Sequence, residues 1–398
     1  MLDAVNSTDS ASRAEPIVRP RMPELDTIRG IAILAVFVFH GFEDVAIAPV
    51  TRPFWERAWL AVTYQGWAGV NLFFVLSGFL ITGILLDSRN KPRYYSRFYS
   101  HRALRILPPY YLLLVVFFFL GHAGLLPHGD LGDFLGLSFI YLSNLAPLFG
   151  VMTFYGPLWS LAVEEQFYLL WPGLVRLVSM RGLAITAGAI CLIEPLWRLF
   201  ALHAGPDVWW VGPERMGSFR YTWLSADGLA LGALLAVFAR SGWGNRRTLL
   251  KLAGVAAAGS IVATALSFVL PATLAICLRG TLVNYAALAI VAGSLWLGTG
   301  PYRSWANIRL LSFYGYISYG LYLIHGLALE AYKLLGRTSV PAMSVGTSFA
   351  LCSVRFAICV AVTTGLAYFS RVTFEEFFLR MKGRSARIRA ATSSSEAS

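Results

Sequence analysis

The chain has 398 residues, 57% of them hydrophobic and only 14% charged, with a mean hydropathy of +0.61. That composition excludes a soluble globular enzyme and reads as an integral membrane protein. The net charge of +12 does not point to nucleic acid, because the lysines and arginines are spread by membrane side rather than gathered in a soluble basic domain.

In chain order, residues 1–22 are rich in small, polar and charged types and read as a disordered cytoplasmic arm. A transmembrane unit follows over 23–372, and 373–398 reads as a basic, then Ser/Ala-rich cytoplasmic tail. Runs able to cross about 30 Å of hydrocarbon lie near 28–46, 64–86, 104–126, 157–178, 183–202, 221–239, 250–270, 272–297, 310–334 and 345–369. The expected fold is therefore all-α, a polytopic membrane protein with about ten transmembrane helices. The apolar stretch from Leu131 to Phe149 is a candidate eleventh, partly inserted segment. With the N-terminus inside, 24 of the 33 lysines and arginines fall on inner segments, and the outer segment from Gly121 to Pro157 carries none. The positive-inside rule then puts both termini in the cytoplasm. Cys191, Cys277, Cys352 and Cys359 all sit in apolar runs without metal-ligand spacing and read as packing residues.

The first helix carries the first chemical signal. Arg29 stands at the mouth of its apolar run, and ten residues separate it from His40 inside the run. On one helix the two side chains start roughly 16 Å apart, linking a membrane surface to its interior. An ionisable residue at that depth is costly and marks a functional site, unless a neighbouring helix holds it as a buried hydrogen-bonder. Counting depth along alternating helices brings Glu164, Glu165, Asp227 and His325 to a similar level. They read as a buried acid/base cluster, or as carboxylate–imidazole pairs joining helices.

In the second helix, glycines at 66, 69, 78 and 83 and a serine at 77 suit close backbone approach by neighbours or substrate. The following segment, DSRNKPRYYSRFYSHRALRILPPYY, holds six basic residues and five tyrosines. It serves as a topology anchor, while Arg102 and Arg105, three apart on a helix face, also suit a phosphorylated ligand. Glu194 and Arg198, four apart, form a self-neutralising structural pair. Arg279 and Arg355 are intramembrane charges with no partner evident in sequence, and Trp209-Trp210 suits interfacial anchoring or stacking on a sugar. No Walker loop, dinucleotide fingerprint, HExxH or GxSxG occurs.

Five segments together resemble the membrane-bound acyltransferase family 3, bacterial proteins that acylate cell-envelope polysaccharides and some secondary metabolites. They are LDTIRGIAILAVFVFH, GVNLFFVLSGFLI, RALRILPPYY, PLWSLAVEEQFYLLWP and ISYGLYLIH, in the order and topology that the family uses. The resemblance covers most of the chain. It implies a bacterial inner-membrane enzyme that moves an acyl group, often acetyl, from cytosolic acyl-CoA to a hydroxyl of an envelope sugar or polysaccharide. It implies His40 as the catalytic imidazole, acting as base or taking the acyl group itself, and Glu164, with Glu165, as the acid that orients or recharges it. Arg29, Arg102 and Arg105 would engage the coenzyme phosphates; His325, Asp227, Ser77 and Tyr322 are candidates for acceptor contact or support. No tightly bound cofactor and no metal are implied, and the expected partners are acyl-CoA, a glycan or lipid-linked sugar and membrane lipids, not nucleic acid. Thr27 stands where many members have glycine, and Ser225 where many have arginine ahead of Asp227. No esterase-like domain follows the tenth helix, so the protein is expected to finish transfer itself or with a partner. A multi-helix transporter or flippase with a buried His/Glu/Arg path, and a non-catalytic acyl-CoA sensor, are the rival readings.

Overall fold

The computed structural model describes residues 16–47, 51–126, 129–203, 220–336 and 349–381. Most of the N-terminal arm, the end of the tail and Trp209-Trp210 lie outside the described residues. The described residues are predominantly helical, with no strand among them. The helices are α1 (Pro23–Ile47), α2 (Phe54–Tyr64), α3 (Ala68–Ser88), α4 (Tyr94–His122), α5 (Leu131–Phe139), α6 (Leu158–Leu177) and α7 (Met180–His203). After the gap come α8 (Asp227–Arg240), α9 (Arg246–Leu266), α10 (Ala272–Gly298), α11 (Arg309–Tyr316), α12 (Ser318–Gly336) and α13 (Phe349–Ser370), which runs into a π turn at Arg371–Glu375.

Among the described residues, each of the ten apolar runs is mainly helix. Seven stretches are long and apolar enough to cross a membrane: Pro23–Glu43, Phe54–Ser88, Tyr94–His122, Met180–Ala201, Arg246–Leu266, Leu274–Gly298 and Phe349–Met381. The other three differ for visible reasons. Helix α6 carries Glu164, Glu165 and Arg176, α8 has only 14 residues, and the ninth run breaks at Ile317 into α11 and α12. Leu131 to Phe149 forms a nine-residue helix and a 3₁₀ segment, Ser143–Phe149. The basic connection before the third span is itself largely helix, since α4 starts at Tyr94 behind a left-handed Arg93 (φ 57°). Pro108 and Pro109 lie inside α4 and remove the amide donors that the Leu104 and Arg105 carbonyls would otherwise meet.

At several helix crossings backbone meets backbone. A Cβ on Gly78 of α3 would overlap the Leu229 carbonyl of α8, and one on Gly232 of α8 would overlap the Val75 carbonyl of α3. Gly30 of α1 and Gly315 of α11 are in the same relation to the Leu311 and Asp26 carbonyls. Small residues permit this approach where lipid offers no hydrophobic drive between helices. Thr27 adds a side-chain clasp to the second crossing: its Oγ1 lies 3.0 Å from Ser312 Oγ and accepts the Ile308 amide.

Candidate functional site

Helices α1, α3, α4, α6 and α12 surround a two-part cleft. The wider part, about 420 Å³, is a basic vestibule with Arg29, Arg97, His101, Arg102, Arg105 and Arg371 in its wall, alongside Asp26 and Glu375. The inner part, about 170 Å³, shares Arg29, Arg102, Arg105 and Tyr319 with the vestibule. It continues past Ser77, Glu164, Glu165 and Tyr168 to Ser160 and Tyr322. The three arginines singled out in sequence, from two helices, therefore meet around one passage.

Their settings differ. Arg29 donates to Asp26 Oδ1 at 2.6 Å, one turn back on α1. Arg102 lies over the Tyr168 ring, 3.9 Å from its centroid, and its buried Nε has no hydrogen-bond partner. Arg105 is exposed within the cleft, and no ion pair among the described residues includes it. Tyr319 ties α12 to α4 by donating to the Ile106 carbonyl at 2.9 Å, which fixes the passage wall.

Glu164 is held from two sides. Ser77 donates to Oε1 at 3.0 Å, and Tyr168 donates to Oε2 at 3.1 Å while lying 3.0 Å from Ser77 Oγ. Tyr168 follows Glu164 by four residues, so both project from one face of α6 toward Arg102. Glu165 lines the inner part beside them, partly buried.

At the inner end, Tyr322 OH lies 2.5 Å from Ser160 Oγ, and the Tyr322 ring meets Phe73 edge-on at 6.0 Å. Immediately beyond sits His325, fully buried, with Nδ1 at 2.7 Å from the Tyr322 carbonyl. Its Nε2 lies 3.3 Å from Nδ1 of His40, which is also 3.0 Å from the Val36 carbonyl. The ring centroids are 5.1 Å apart. Toward the other side, Phe39 links His40 to Tyr64 at the end of α2 through edge contacts of 5.0 and 5.6 Å. Arg355 of α13 donates to the Gly41 carbonyl at 2.6 Å, giving that intramembrane charge a backbone partner next to His40. Arg279 bonds Gln65 at 3.2 Å and faces the Trp67 ring at 5.1 Å.

The single acid/base cluster expected from depth is thus three separate groups. His40 and His325 form one, and Glu164 with Ser77, Tyr168 and Arg102 forms another; no hydrogen bond joins Glu164 to His40 among those described. Asp227 belongs to the third, away from the cleft. Its Oδ1 accepts from Arg198 at 2.6 Å and Asn284 at 2.8 Å, and Thr281 donates to Oδ2 at 3.2 Å. Glu194 takes the Ala226 and Asp227 amides at 3.1 and 2.8 Å. Glu194 therefore caps α8, and Arg198 of α7 supplies the cation beside Asp227. Depth along a helix cannot reveal which helices are lateral neighbours, and that is why the three groups look like one in sequence. Tyr168, Ser160, Arg97 and Arg371 were missed; only Tyr168 had a signal, its four-residue spacing from Glu164.

A family profile described as an acyltransferase domain matches residues 22–364. A peptidoglycan O-acetyltransferase of Listeria monocytogenes is 32% identical over 212 residues, 48% of this chain and 30% of that protein. A putative peptidoglycan O-acetyltransferase of Bacillus subtilis is 33% identical over 189 residues, 43% of this chain and 27% of that one. A putative O-acetyltransferase of Staphylococcus aureus is 32% identical over 166 residues, 38% of this chain and 24% of that protein. The aligned part is under a third of each relative's length. No solved structure matches the chain significantly.

Proposed function

Because the chain belongs to this acyltransferase family, we propose that it transfers an acyl group, most simply acetyl, from cytosolic acyl-CoA to a hydroxyl of an envelope glycan or lipid-linked sugar. Family membership favours this over the transporter and sensor readings. The observation that carries it is the passage itself, which runs from a basic vestibule to a tyrosine whose carbonyl holds a histidine pair.

In this reading the protein is a multi-pass protein of the bacterial inner membrane, with ten spans, both ends cytoplasmic and the vestibule opening inward. Arg102 and Arg105 take the coenzyme phosphates, with Arg29 at the mouth, since guanidinium groups bind phosphate oxygens in pairs. The Glu164–Ser77–Tyr168 group faces the pantetheine arm and offsets the Arg102 charge. His40 accepts the proton of the acceptor hydroxyl as its oxygen attacks the thioester carbon. The C–S bond then breaks, and the coenzyme leaves as the thiol after taking that proton. No bound cofactor or metal enters the sequence of steps. The acceptor approaches His40 from the α2 side, opposite the donor.

The test is acetyl-CoA turnover by purified protein in lipid vesicles, following thiol release with and without an envelope-glycan extract. Wild-type release stimulated by the extract and abolished in His40→Ala is the expected result. Equal release from both proteins, or no coenzyme A binding, would refute it.

A further inference from the structure

We propose that His325 is the positioning residue for His40, fixing the tautomer and ring orientation in which His40 offers Nε2 as its basic nitrogen. This rests on the reading of His40 as the catalytic imidazole, and it gives to a neutral histidine the orienting part that the family resemblance assigned to Glu164.

The Tyr322 carbonyl can only accept, so at 2.7 Å His325 Nδ1 carries the hydrogen. A ring with no exposed surface holds one hydrogen rather than two, because an unpaired buried charge is too costly. The His325 lone pair is therefore on Nε2, aimed at His40 Nδ1 3.3 Å away. The Val36 carbonyl, 3.0 Å from the same His40 nitrogen, is a second acceptor. Two acceptors converging on one nitrogen require a hydrogen there. In neutral His40 the remaining lone pair is then on Nε2.

Without His325, the Val36 carbonyl would still meet His40 Nδ1, but through a bond within its own helix that constrains rotation weakly. His325 is itself immobilised, packed edge-on against Phe37 at 5.6 Å and beside the Tyr322 ring at 5.6 Å. A carboxylate here would orient His40 equally well but would bring an additional charge into the bilayer. An imidazole orients by hydrogen bonding alone. Tyr322 gains a role from this arrangement: its side chain closes the donor passage while its carbonyl sets the tautomer of the next histidine.

The experiment is ¹⁵N NMR of histidine-labelled protein in lipid vesicles, with His40 assigned by comparison with His40→Ala, combined with thiol release from acetyl-CoA. Wild-type His40 should be in the Nδ1–H form; finding it in the Nε2–H form overturns the proposal without any further substitution. In His325→Leu, which removes one of the two acceptors at Nδ1, the Nε2–H form of His40 should gain population, and kcat should fall roughly 10-fold or more, short of the about 10²–10⁴-fold that a general base contributes, at unchanged KM for acetyl-CoA. In His325→Gln, whose amide oxygen reaches the position of Nε2, the Nδ1–H form should return and kcat should recover most of the loss seen in Leu. A folded Leu variant with wild-type tautomer and kcat, or a folded Gln variant as impaired as Leu, refutes the assignment. If wild-type protein releases no thiol, the acyl-donor reading fails, and the spectra still decide what His325 does to His40.

Discussion

Replacing Arg105 by alanine isolates the phosphate contact from everything else in the passage. Arg105 is exposed in the cleft and no described ion pair includes it, and the buried Glu375 that feels its charge keeps Arg371 as its nearer cation. A hydrogen bond to a charged group contributes about 1.5–3 kcal/mol, and water in the vestibule argues for the lower part of that range. About 1.5–2 kcal/mol corresponds to a roughly 10- to 30-fold weaker grip on the donor. Because phosphate is held alike before and during acyl transfer, the loss falls on KM for acetyl-CoA and leaves kcat nearly unchanged. The assay is thiol release from reconstituted protein across donor concentrations, run beside direct coenzyme A binding. Acetyl-pantetheine, which lacks the phosphates, is the control and should show no difference between wild type and Arg105→Ala. An equal loss with both donors, or a fall in kcat at constant KM, refutes the phosphate assignment. Arg102→Ala is less clean, since it also removes the contact with Tyr168 and the cation near Glu164.

Glu164→Gln keeps the shape but removes a carboxylate that receives two hydroxyl hydrogen bonds, worth about 1.5–3 kcal/mol each when charge-assisted and about half that when neutral. The expected outcome is a folded protein with thiol release down roughly 10-fold; unchanged kinetics would remove Glu164 from the working passage. Asp227→Ala strands Arg198, which is only 3% exposed, at a cost of about 3–5 kcal/mol, lessened by Glu194 at 3.6 Å. Thermal unfolding of the detergent-solubilised protein should come at clearly lower temperature, with KM for acetyl-CoA in the surviving fraction unaltered. A raised KM with wild-type stability would instead put Asp227 in contact with the substrate.

Sequence made the helices legible because their lengths and apolar character answer to the bilayer alone. Arg29, Arg102 and Arg105 were legible for a related reason: charge at a membrane face is rare enough to stand out, and spacing on a helix gives its direction. Lateral neighbourhood was not. Asp227 matches Glu164 in depth, yet α8 turns it toward Arg198 and Asn284 because Gly78 and Gly232 set that helix directly on α3. The break at Ile317 was also hidden. No proline marks it, and Gly315 is explained only by the Asp26 carbonyl pressed against it. The bond from His325 to the Tyr322 carbonyl depends on a rotamer, which no pattern of residue types encodes.

The crossing of α1 and α11 at Gly30 and Gly315 has a consequence for timing. Carbonyl oxygens, not adaptable side chains, form that contact, so α1 cannot slide along α11 without a steric clash. Arg29 and His40 share α1, so their separation is set by that helix while the crossing holds it in register with α11, and in the proposed function the donor spans it as a measured length. What has to yield is smaller: the Tyr322 side chain and its bond to Ser160, between the inner cavity and the histidines. Rotation of one tyrosine is a local event, unlike the micro- to millisecond rocking of helix bundles. The barrier to meeting the histidine would then be set by one hydroxyl contact rather than by a rearrangement of the fold.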